Sequence, residues 1–140
     1  ALKTHSSHRK DPAIRSKSLC ILDGDSQHQE NKDKGILKLP GQQPELEIFH
    51  FIKDNLDEVS AILTVSCQCS QYEQEKVRKI IKTISCTNRD PHLLFSQIGI
   101  ELGFISEIVV RGAFINLWVE KNKEYCNGLA EYIYKYLSEK

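Results

Sequence analysis

Strand-like sequence is confined to the beginning of the chain, and this order constrains the fold more than any other feature. One apolar run, SLCIL, occupies residues 18–22, and a second, GILKL, occupies residues 35–39 before the turn signal Pro40-Gly41. Apolar residues then recur at helical spacing through most of residues 44–138. Two short strands do not form a stable sheet by themselves. We therefore expect either that the helices cover these strands or that other strands come from sequence outside this chain.

Turn and capping residues divide the helical part. Pro44 begins a helix, and Glu45 and Glu47 lie in its first turn, where the helix dipole favours carboxylates. Residues 61–66, AILTVS, fit either a helix or a strand. Residues 105–119 are apolar on nearly every face, which predicts a helix packed on several sides. Further helices are predicted over residues 71–85, from Asp90-Pro91 to near Gly103, and over about 124–138.

Charge is balanced over the whole chain but not along it. The 19 Lys and Arg residues equal the 19 Asp and Glu residues, so the overall charge does not indicate a nucleic-acid-binding protein. Residues 1–17 nevertheless contain five Lys and Arg side chains and a single acid, Asp11. Because chain termini are usually loose, we expect this segment to be a solvated and partly flexible arm.

The chain contains no Met, which indicates that it is processed or cut from a longer protein. We expect no signal peptide, because the first residues contain no apolar run, and no run in this sequence reaches the roughly 18 apolar residues that a membrane span needs. Its five cysteines are an odd number, which favours reduced thiols over a disulfide framework. These features predict a cytoplasmic protein without a membrane partner.

The cysteines also raise the question of zinc. Cys67 and Cys69, together with Cys86, could be ligands, but a structural zinc site needs a second ligand pair that this sequence does not offer. Buried free thiols are the better interpretation.

Two carboxylates follow the first apolar run directly, in the sequence Asp23-Gly24-Asp25. Side chains two residues apart point to the same side of an extended chain, so an extended path through Gly24 would bring the two aspartates together. Mg²⁺ prefers such oxygen ligands, and a glycine between them would leave room for a phosphate or a metal-bound water. The alternative is a plain turn, because Asp-Gly is a common turn sequence.

The surroundings of this pair resemble a known family. The runs CILDGDSQ, ILKLPGQQPELEIFHFI and DPHLLFSQIGIELGF are similar to the later part of a Toprim domain, in particular the nuclease domain of the OLD (overcoming lysogenization defect) family. The resemblance covers residues 18–57 well and residues 88–120 loosely. It implies that Asp23 and Asp25 bind divalent metal. Glu45, at the start of a helix, is a candidate for a further catalytic carboxylate that binds metal or supports a metal ligand, or it is simply a surface residue that the helix dipole favours.

The resemblance also implies parts that this chain lacks. Toprim domains carry a metal-binding Glu on an earlier strand, and residues 1–17 contain no Glu and are too short for that unit. The phosphate-binding loop of the ATPase half of OLD proteins is absent as well. We therefore expect the chain to be a fragment, or the C-terminal part of a longer polypeptide, that holds only part of a metal site.

Four further residues are candidates with an ordinary alternative. His92 would contact phosphate or support the site, or it would simply pack against a neighbour at a helix start. Lys121 and Lys123 would balance charge in the transition state, although solvated lysines fit the pattern better. Ser26 would bind a metal-bound water, or its hydroxyl would bond the local backbone.

The resulting hypothesis is an α/β fold with one or two strands of a Toprim-like sheet, followed by a mainly helical C-terminal region. Residues 1–60 would be the second half of a Toprim domain, and residues 61–140 would be a helical extension. The resemblance implies an endonuclease that hydrolyses nucleic-acid phosphodiesters, in particular those of DNA, with Mg²⁺ or Mn²⁺. It also implies an oligomer, a setting in anti-phage defence, and an ATPase domain in the same polypeptide or complex, ATP being a cofactor only if that domain exists.

Two alternatives stay open. The helical part could be an assembly module in which the 105–119 helix, with Trp118, docks another subunit, while Asp-Gly-Asp is a turn or a degenerate site. A Toprim domain of the primase or topoisomerase type would instead predict primer synthesis or strand joining.

Overall fold

A computed structural model of the protein describes residues 1–14 and 16–139. Nine regular elements follow one another in these residues, and most of them are helices. They are α1 (Leu2–Lys10), β1 (Cys20–Leu22), β2 (Ile36–Lys38), α2 (Pro44–Asp54), α3 (Leu56–Ser66), α4 (Gln74–Thr87), α5 (Leu94–Glu101), α6 (Glu107–Lys121) and α7 (Lys123–Ser138). Short 3-10 turns precede β2, α4 and α5. The predicted mainly helical fold with a small sheet is thus confirmed, and residues 61–66 prove to be helical.

The chain divides into two compact units. The strand unit consists of Ala1–Pro44 and Lys123–Lys140, and the helical unit consists of Glu45–Asn122. The predicted division at residue 60 falls inside α3, whereas the units separate at the start of α2 and at the start of α7. The last helix therefore belongs with the strands rather than with the other C-terminal helices.

The sheet of the strand unit has two parallel strands. Cys20, Ile21 and Leu22 of β1 pair with Ile36, Leu37 and Lys38 of β2, respectively. The connection over residues 23–35 has the length that parallel strands require. Both predicted strands are confirmed, although each is two residues shorter than its apolar run.

Gly35 has a left-handed backbone, with φ of +68°, directly before β2. A Cβ atom at this position would lie 2.6 Å from Cε1 of Tyr136. Glycine is therefore required both for the conformation and for the close packing of the tyrosine ring on the backbone.

The N-terminal segment is not the loose arm that its charge suggests, because α1 is anchored by a buried histidine. The side chain of His5 is 5% exposed. Its Nε2 donates to the carbonyl of Lys34 at 2.7 Å, and its Nδ1 accepts from the hydroxyl of Ser18 at 2.7 Å. These two hydrogen bonds join α1 to both chain segments that lead into the strands.

Helix α7 contacts the rest of the strand unit through tyrosines rather than through an aliphatic core. None of its side chains is fully buried. The hydroxyl of Tyr132 donates to the carbonyl of Lys32 at 2.6 Å, and Nζ of Lys17 donates to the carbonyl of Tyr136 at 3.0 Å. Polar and aromatic contacts therefore hold this helix in the unit.

The helical unit has a continuous apolar core. Phe114 lies at its centre, with ring centroids 6.2 Å from Phe49 and 5.2 Å from Phe95. Helices α3 to α6 pack around these rings. The buried members are Phe49, Ile52, Leu56, Val59, Leu63, Cys67, Val77, Ile81, Ile84, Leu94, Phe95, Ile98, Leu102, Val110, Ala113, Phe114 and Leu117.

Helix α6 buries one face and not several, which corrects the sequence-based prediction. Val110, Ala113, Phe114 and Leu117 are buried. A second row of apolar residues on the same helix faces outwards, with Ile108 75% and Val119 40% exposed. The all-round apolar composition thus reflects one core face and one exposed apolar face.

Candidate functional site

The parallel pairing brings the chain segments that follow both strands to one edge of the sheet. Leu22 is opposite Lys38, so Asp23 and Leu39 leave their strands side by side. The amide of Leu39 donates to the carbonyl of Leu22 at 2.9 Å, which extends the ladder to this edge. Ligands bind at such carboxyl edges in open α/β sheets.

The two aspartates lie on a turn and not on an extended path. The amide of Ser26 donates to the carbonyl of Asp23 at 3.0 Å, which closes a four-residue turn. The extended geometry that would align Asp23 with Asp25 is therefore absent at this turn. Both aspartates are exposed, and the structure shows no ion pair or hydrogen bond of either carboxylate to any residue in 1–14 or 16–139.

Gly24 is needed for an approach of two backbones. Its amide donates to the carbonyl of Gln42 at 3.1 Å. A Cβ atom at residue 24 would lie 2.6 Å from the carbonyl carbon of Gly41 and 2.7 Å from the carbonyl oxygen of Gln42. We expected the absence of a side chain at Gly24 to leave room for a phosphate or a metal-bound water. The turn that follows β2 fills this space instead.

Lys38 is the residue of this edge that sequence reasoning missed. Its Nζ donates to the carbonyl of Ser26 at 2.6 Å, which ties the end of β2 to the aspartate turn. Its backbone amide also donates to a carboxylate oxygen of Glu30 at 3.3 Å. The sequence places Lys38 near the end of the second strand. Only the parallel register of the two strands shows that this end lies beside the turn that carries Asp23.

The side chain of Ser26 bonds the local backbone, which is the ordinary alternative given above for this residue. Its hydroxyl oxygen accepts from the amide of His28 at 3.3 Å, so the side chain bonds the local backbone of the loop. This contact stabilises the turn that carries both aspartates.

The donor atoms at this edge suit a hard cation. Asp23 and Asp25 offer carboxylate oxygens, which Mg²⁺ and Mn²⁺ prefer over nitrogen and sulfur ligands. Nearby in sequence, Oε1 of Gln43 is buried and has no hydrogen-bond partner within the described part of the chain. No group of three or more His, Cys, Asp or Glu side chains able to hold a metal ion occurs among the described residues. The edge therefore offers two carboxylates that fit such a cation, without a complete ligand set.

Glu45 and His92 form a pair within the helical unit. Oε1 of Glu45, in the first turn of α2, lies 3.3 Å from Nδ1 of His92. The backbone amide of His92 donates to Oδ1 of Asp90 at 3.0 Å, which fixes the turn that carries the imidazole. The structure thus brings together two residues that the sequence singled out separately. The aspartates belong to the strand unit, so the role of Glu45 beside them stays a prediction.

The remaining candidates have local partners. Nζ of Lys121 lies 3.0 Å from a carboxylate oxygen of Glu58 within the helical unit. Cys67 is fully buried, and burial raises the pKa of its thiol to about 12, with a smaller contribution from Cys69. Burial, followed by the charge of Glu73, also raises the pKa of Cys69. Both thiols therefore stay protonated at neutral pH. The buried-thiol interpretation is confirmed for Cys67, but it is wrong for Cys86, which is exposed, and Cys69 is half-buried.

No helix within residues 1–14 and 16–139 has the length and apolarity needed to cross a membrane. Comparison with protein-family models, with curated proteins and with solved structures gave no match.

Proposed function

We propose that the strand unit carries part of the metal site of an OLD-type Toprim nuclease, which hydrolyses phosphodiester bonds of nucleic acid. One observation carries this proposal. Asp23 and Asp25 lie exposed on a hydrogen-bonded turn at the carboxyl ends of two parallel strands, and the structure shows no ion pair for either within the described residues. Two uncompensated carboxylates at the ligand-binding edge of a sheet are a site for a divalent cation.

We assign a role to each residue from the family resemblance and from its local contacts. Asp23 and Asp25 would hold one or two Mg²⁺ or Mn²⁺ ions, which when bound supply a nucleophilic water and neutralise charge on the phosphate. The Gly24–Gln42 hydrogen bond and the Lys38–Ser26 hydrogen bond would keep the turn rigid against the mutual repulsion of the two carboxylates. Glu45 would be an additional catalytic carboxylate, oriented by His92.

The wider setting rests on the family resemblance alone. It comprises a DNA substrate, a further metal-binding Glu outside this chain, an oligomeric assembly and a cytoplasmic role in defence against phage. An ATPase domain in the same polypeptide or complex belongs to the same setting and would bring ATP as a cofactor.

The test is Mn²⁺- and Mg²⁺-dependent cleavage of plasmid and single-stranded DNA by the complete native protein. Asp23→Asn and Asp25→Asn should each abolish cleavage while the circular dichroism spectrum is unchanged. Asp54→Asn, which removes an exposed carboxylate of the helical unit, is the matched control and should cleave normally. If both variants still cleave DNA, Asp-Gly-Asp is a structural turn without a catalytic role.

The second candidate function is an assembly module, and the exposed row on α6 favours it. Ile108, Gly112, Ile115 and Val119 recur at intervals of four, three and four residues, which places them on one helix face. This spacing reads the same in both directions, so a second copy of α6 running antiparallel would match it residue for residue. A Cβ atom on Gly112 would meet no atom within 4 Å, so the helix surface is open at the middle of the row.

Sedimentation of Ile108→Glu separates this candidate from the first. A change from dimer to monomer supports assembly through α6. Ile62→Glu, at a residue of α3 that is 59% exposed, is the control and should leave the oligomeric state unchanged. Monomeric wild-type protein at micromolar concentration would contradict the assembly role.

A further inference from the structure

Two cavities of the strand unit, about 310 and 290 Å³ in volume, share Lys17, Asp33 and Tyr136. Tyr132, Lys32 and Lys135 line the first of them. We call the surface formed by Lys17, Lys32, Lys135, Tyr132 and Tyr136 the lysine–tyrosine groove. None of the residues that line these two cavities is one to which a catalytic role was assigned above.

The groove combines stacked rings with ammonium groups. The rings of Tyr132 and Tyr136 are stacked, with centroids 5.9 Å apart and planes inclined by 18°. Nζ of Lys17 lies 4.8 Å from the ring centroid of Tyr136, and Nζ of Lys32 lies 5.8 Å from that of Tyr132. Each of the two rings therefore makes a cation–π contact with a different lysine.

Positive charge exceeds negative charge along this surface. Lys17, Lys32 and Lys135 line the first cavity, opposed by Asp33 and Glu139, and the charge of Glu30 also acts on Tyr132. Arg9 adds a further positive side chain along the second cavity. In the sequence, the segments of the strand unit carry eleven Lys and Arg residues against eight Asp and Glu, and the helical unit has the reverse balance. The neutral total thus hides a positive region in the strand unit.

We propose that the lysine–tyrosine groove binds single-stranded nucleic acid, with its lysines on the phosphates and its tyrosines stacked on the bases. The proposal rests on the nuclease function, because that function gives the protein a strand to hold. Positive grooves lined by aromatic rings are the usual means of binding single strands without sequence preference. Duplex DNA keeps its bases paired and stacked, and so it cannot use the rings.

The present contacts of the lysines are compatible with binding. A cation–π contact at an exposed site is weak, and base–aromatic stacking is stronger. A base that takes the place of a lysine on a ring would free the ammonium group for the adjacent phosphate. Lys17 would give up its hydrogen bond to the Tyr136 carbonyl when it moves, while the Tyr132 hydroxyl keeps its hydrogen bond to the Lys32 carbonyl and so retains one attachment of α7.

The first experiment measures binding of a fluorescent single-stranded oligonucleotide by the complete native protein, in EDTA to prevent cleavage. Lys17→Gln, Lys32→Gln and Lys135→Gln combined should weaken binding at least tenfold at about 0.1 M salt. They should also lower the slope of log K against log salt by about 2, as expected for three lost phosphate contacts.

The matched control has the same change in net charge on another basic surface. Lys76→Gln, Lys79→Gln and Lys82→Gln combined alter α4 in the helical unit, where Lys79 and Lys82 line a separate cavity with Arg78. This control should bind as the wild type does. An equal loss in both triple variants would show non-specific electrostatic attraction and would overturn the proposal.

Stacking is tested separately from charge. Tyr132→Leu and Tyr132→Phe both lose the hydroxyl that donates to the Lys32 carbonyl, but only Tyr132→Phe keeps the ring, so Tyr132→Leu should bind a single strand about tenfold more weakly than Tyr132→Phe. Tyr134→Leu, at a tyrosine that is 77% exposed on the same helix, controls for loss of a surface ring. Equal affinity for duplex and single-stranded DNA would overturn stacking. So would inorganic polyphosphate that binds as tightly as the oligonucleotide, if Tyr132→Leu has no effect on binding. Binding to phosphatidylserine vesicles but not to oligonucleotide would assign the groove to a membrane surface and overturn the proposal as a whole.

The two proposals fail in different ways. Groove variants that bind normally, in a protein whose cleavage depends on Asp23, would refute the groove and keep the nuclease. Groove-dependent binding by a protein that cleaves no substrate with Mn²⁺ or Mg²⁺ would refute the nuclease and keep the groove.

Discussion

The two units of this protein are stabilised in different ways. In the helical unit, 17 buried residues form one core, and three phenylalanine rings meet at its centre. In the strand unit, the buried apolar residues are Cys20, Leu22 and Leu37, and the buried His5 adds hydrogen bonds to two chain segments. Many apolar contacts around one core support the first unit, whereas a few specific contacts support the second. The strand unit also carries the aspartates and the lysine–tyrosine groove, so the candidate chemistry lies in the less buried part of the molecule.

The largest effect is expected in the core of the helical unit. Phe114→Ala would remove the ring that contacts both Phe49 and Phe95, and it should lower the free energy of unfolding by about 3–5 kcal/mol. The fluorescence of Trp118 during urea unfolding measures this change, because Trp118 belongs to the same unit. Phe104→Ala is the control, since Phe104 is 85% exposed, and it should change stability by no more than about 0.5 kcal/mol. Equal losses from the two substitutions would contradict a core-based account of this unit.

A single methyl group should be nearly as damaging in the strand unit. Gly24→Ala would place Cβ against the Gly41 carbonyl group and should destabilise the unit by about 3 kcal/mol. Hydrogen exchange of peptides from residues 18–44 measures the loss. Gly128→Ala, in the interior of α7 with no atom within 4 Å of the added Cβ, should instead stabilise its helix by up to about 1 kcal/mol. Tolerance of Gly24→Ala would show that the two turns at the sheet edge are not in contact.

His5 tests whether individual hydrogen bonds support the strand unit. His5→Ala would leave the Ser18 hydroxyl and the Lys34 carbonyl without this partner, and it should cost about 2 kcal/mol. Faster hydrogen exchange of residues 2–10 would accompany the loss. His28→Ala removes an exposed imidazole from the loop between the strands and should have no measurable effect. An α1 that exchanges at wild-type rates in His5→Ala would restore the interpretation of a loose arm.

The smallest effect concerns the thiols. Because burial raises the pKa of Cys67 from 9.0 to about 12, the folded protein keeps this proton more tightly than the unfolded chain does. The resulting stabilisation is fully present below pH 9.0 and is lost as the pH rises towards about 12. Cys67→Ala should remove this part of the alkaline pH dependence. At pH 8, iodoacetamide should modify the exposed Cys86 in the folded protein and leave Cys67 unmodified until the helical unit unfolds.

The contrast between the units also explains how much the sequence could predict. Apolar runs and turn residues located β1, β2 and the start of α2, because those signals are local. The attachment of α1 to the strand unit depends on His5, whose hydrogen-bond partners are 13 and 29 residues away in the sequence. No local sequence pattern predicts such contacts. The sequence also could not show which face of α6 is buried, since both faces are apolar and only packing against other helices decides this.

The candidate site shows the same division. Asp23 and Asp25 were identifiable because two carboxylates directly after an apolar run are unusual. Lys38 was not, because only the parallel register of β1 and β2 brings it beside their turn. A turn at Asp23-Gly24 was one of the two conformations that the sequence left open, but its hydrogen bond to the carbonyl of Gln42 could not be predicted, because Gln42 lies in another segment.

The attachment of α7 to the strand unit has a consequence for the order of folding. Lys17 donates to the carbonyl of Tyr136 across 119 residues of chain, whereas helices α3 to α6 contact their neighbours in sequence and α3 also contacts α6, at shorter separations. Closing long loops is entropically costly and slow, so the helical unit should acquire its structure first. On the ribosome, all of the helical unit is synthesised before the tyrosines of α7 emerge. The lysine–tyrosine groove would therefore be the last surface to assemble, and a nascent chain would be unable to hold a nucleic-acid strand until its core had already folded.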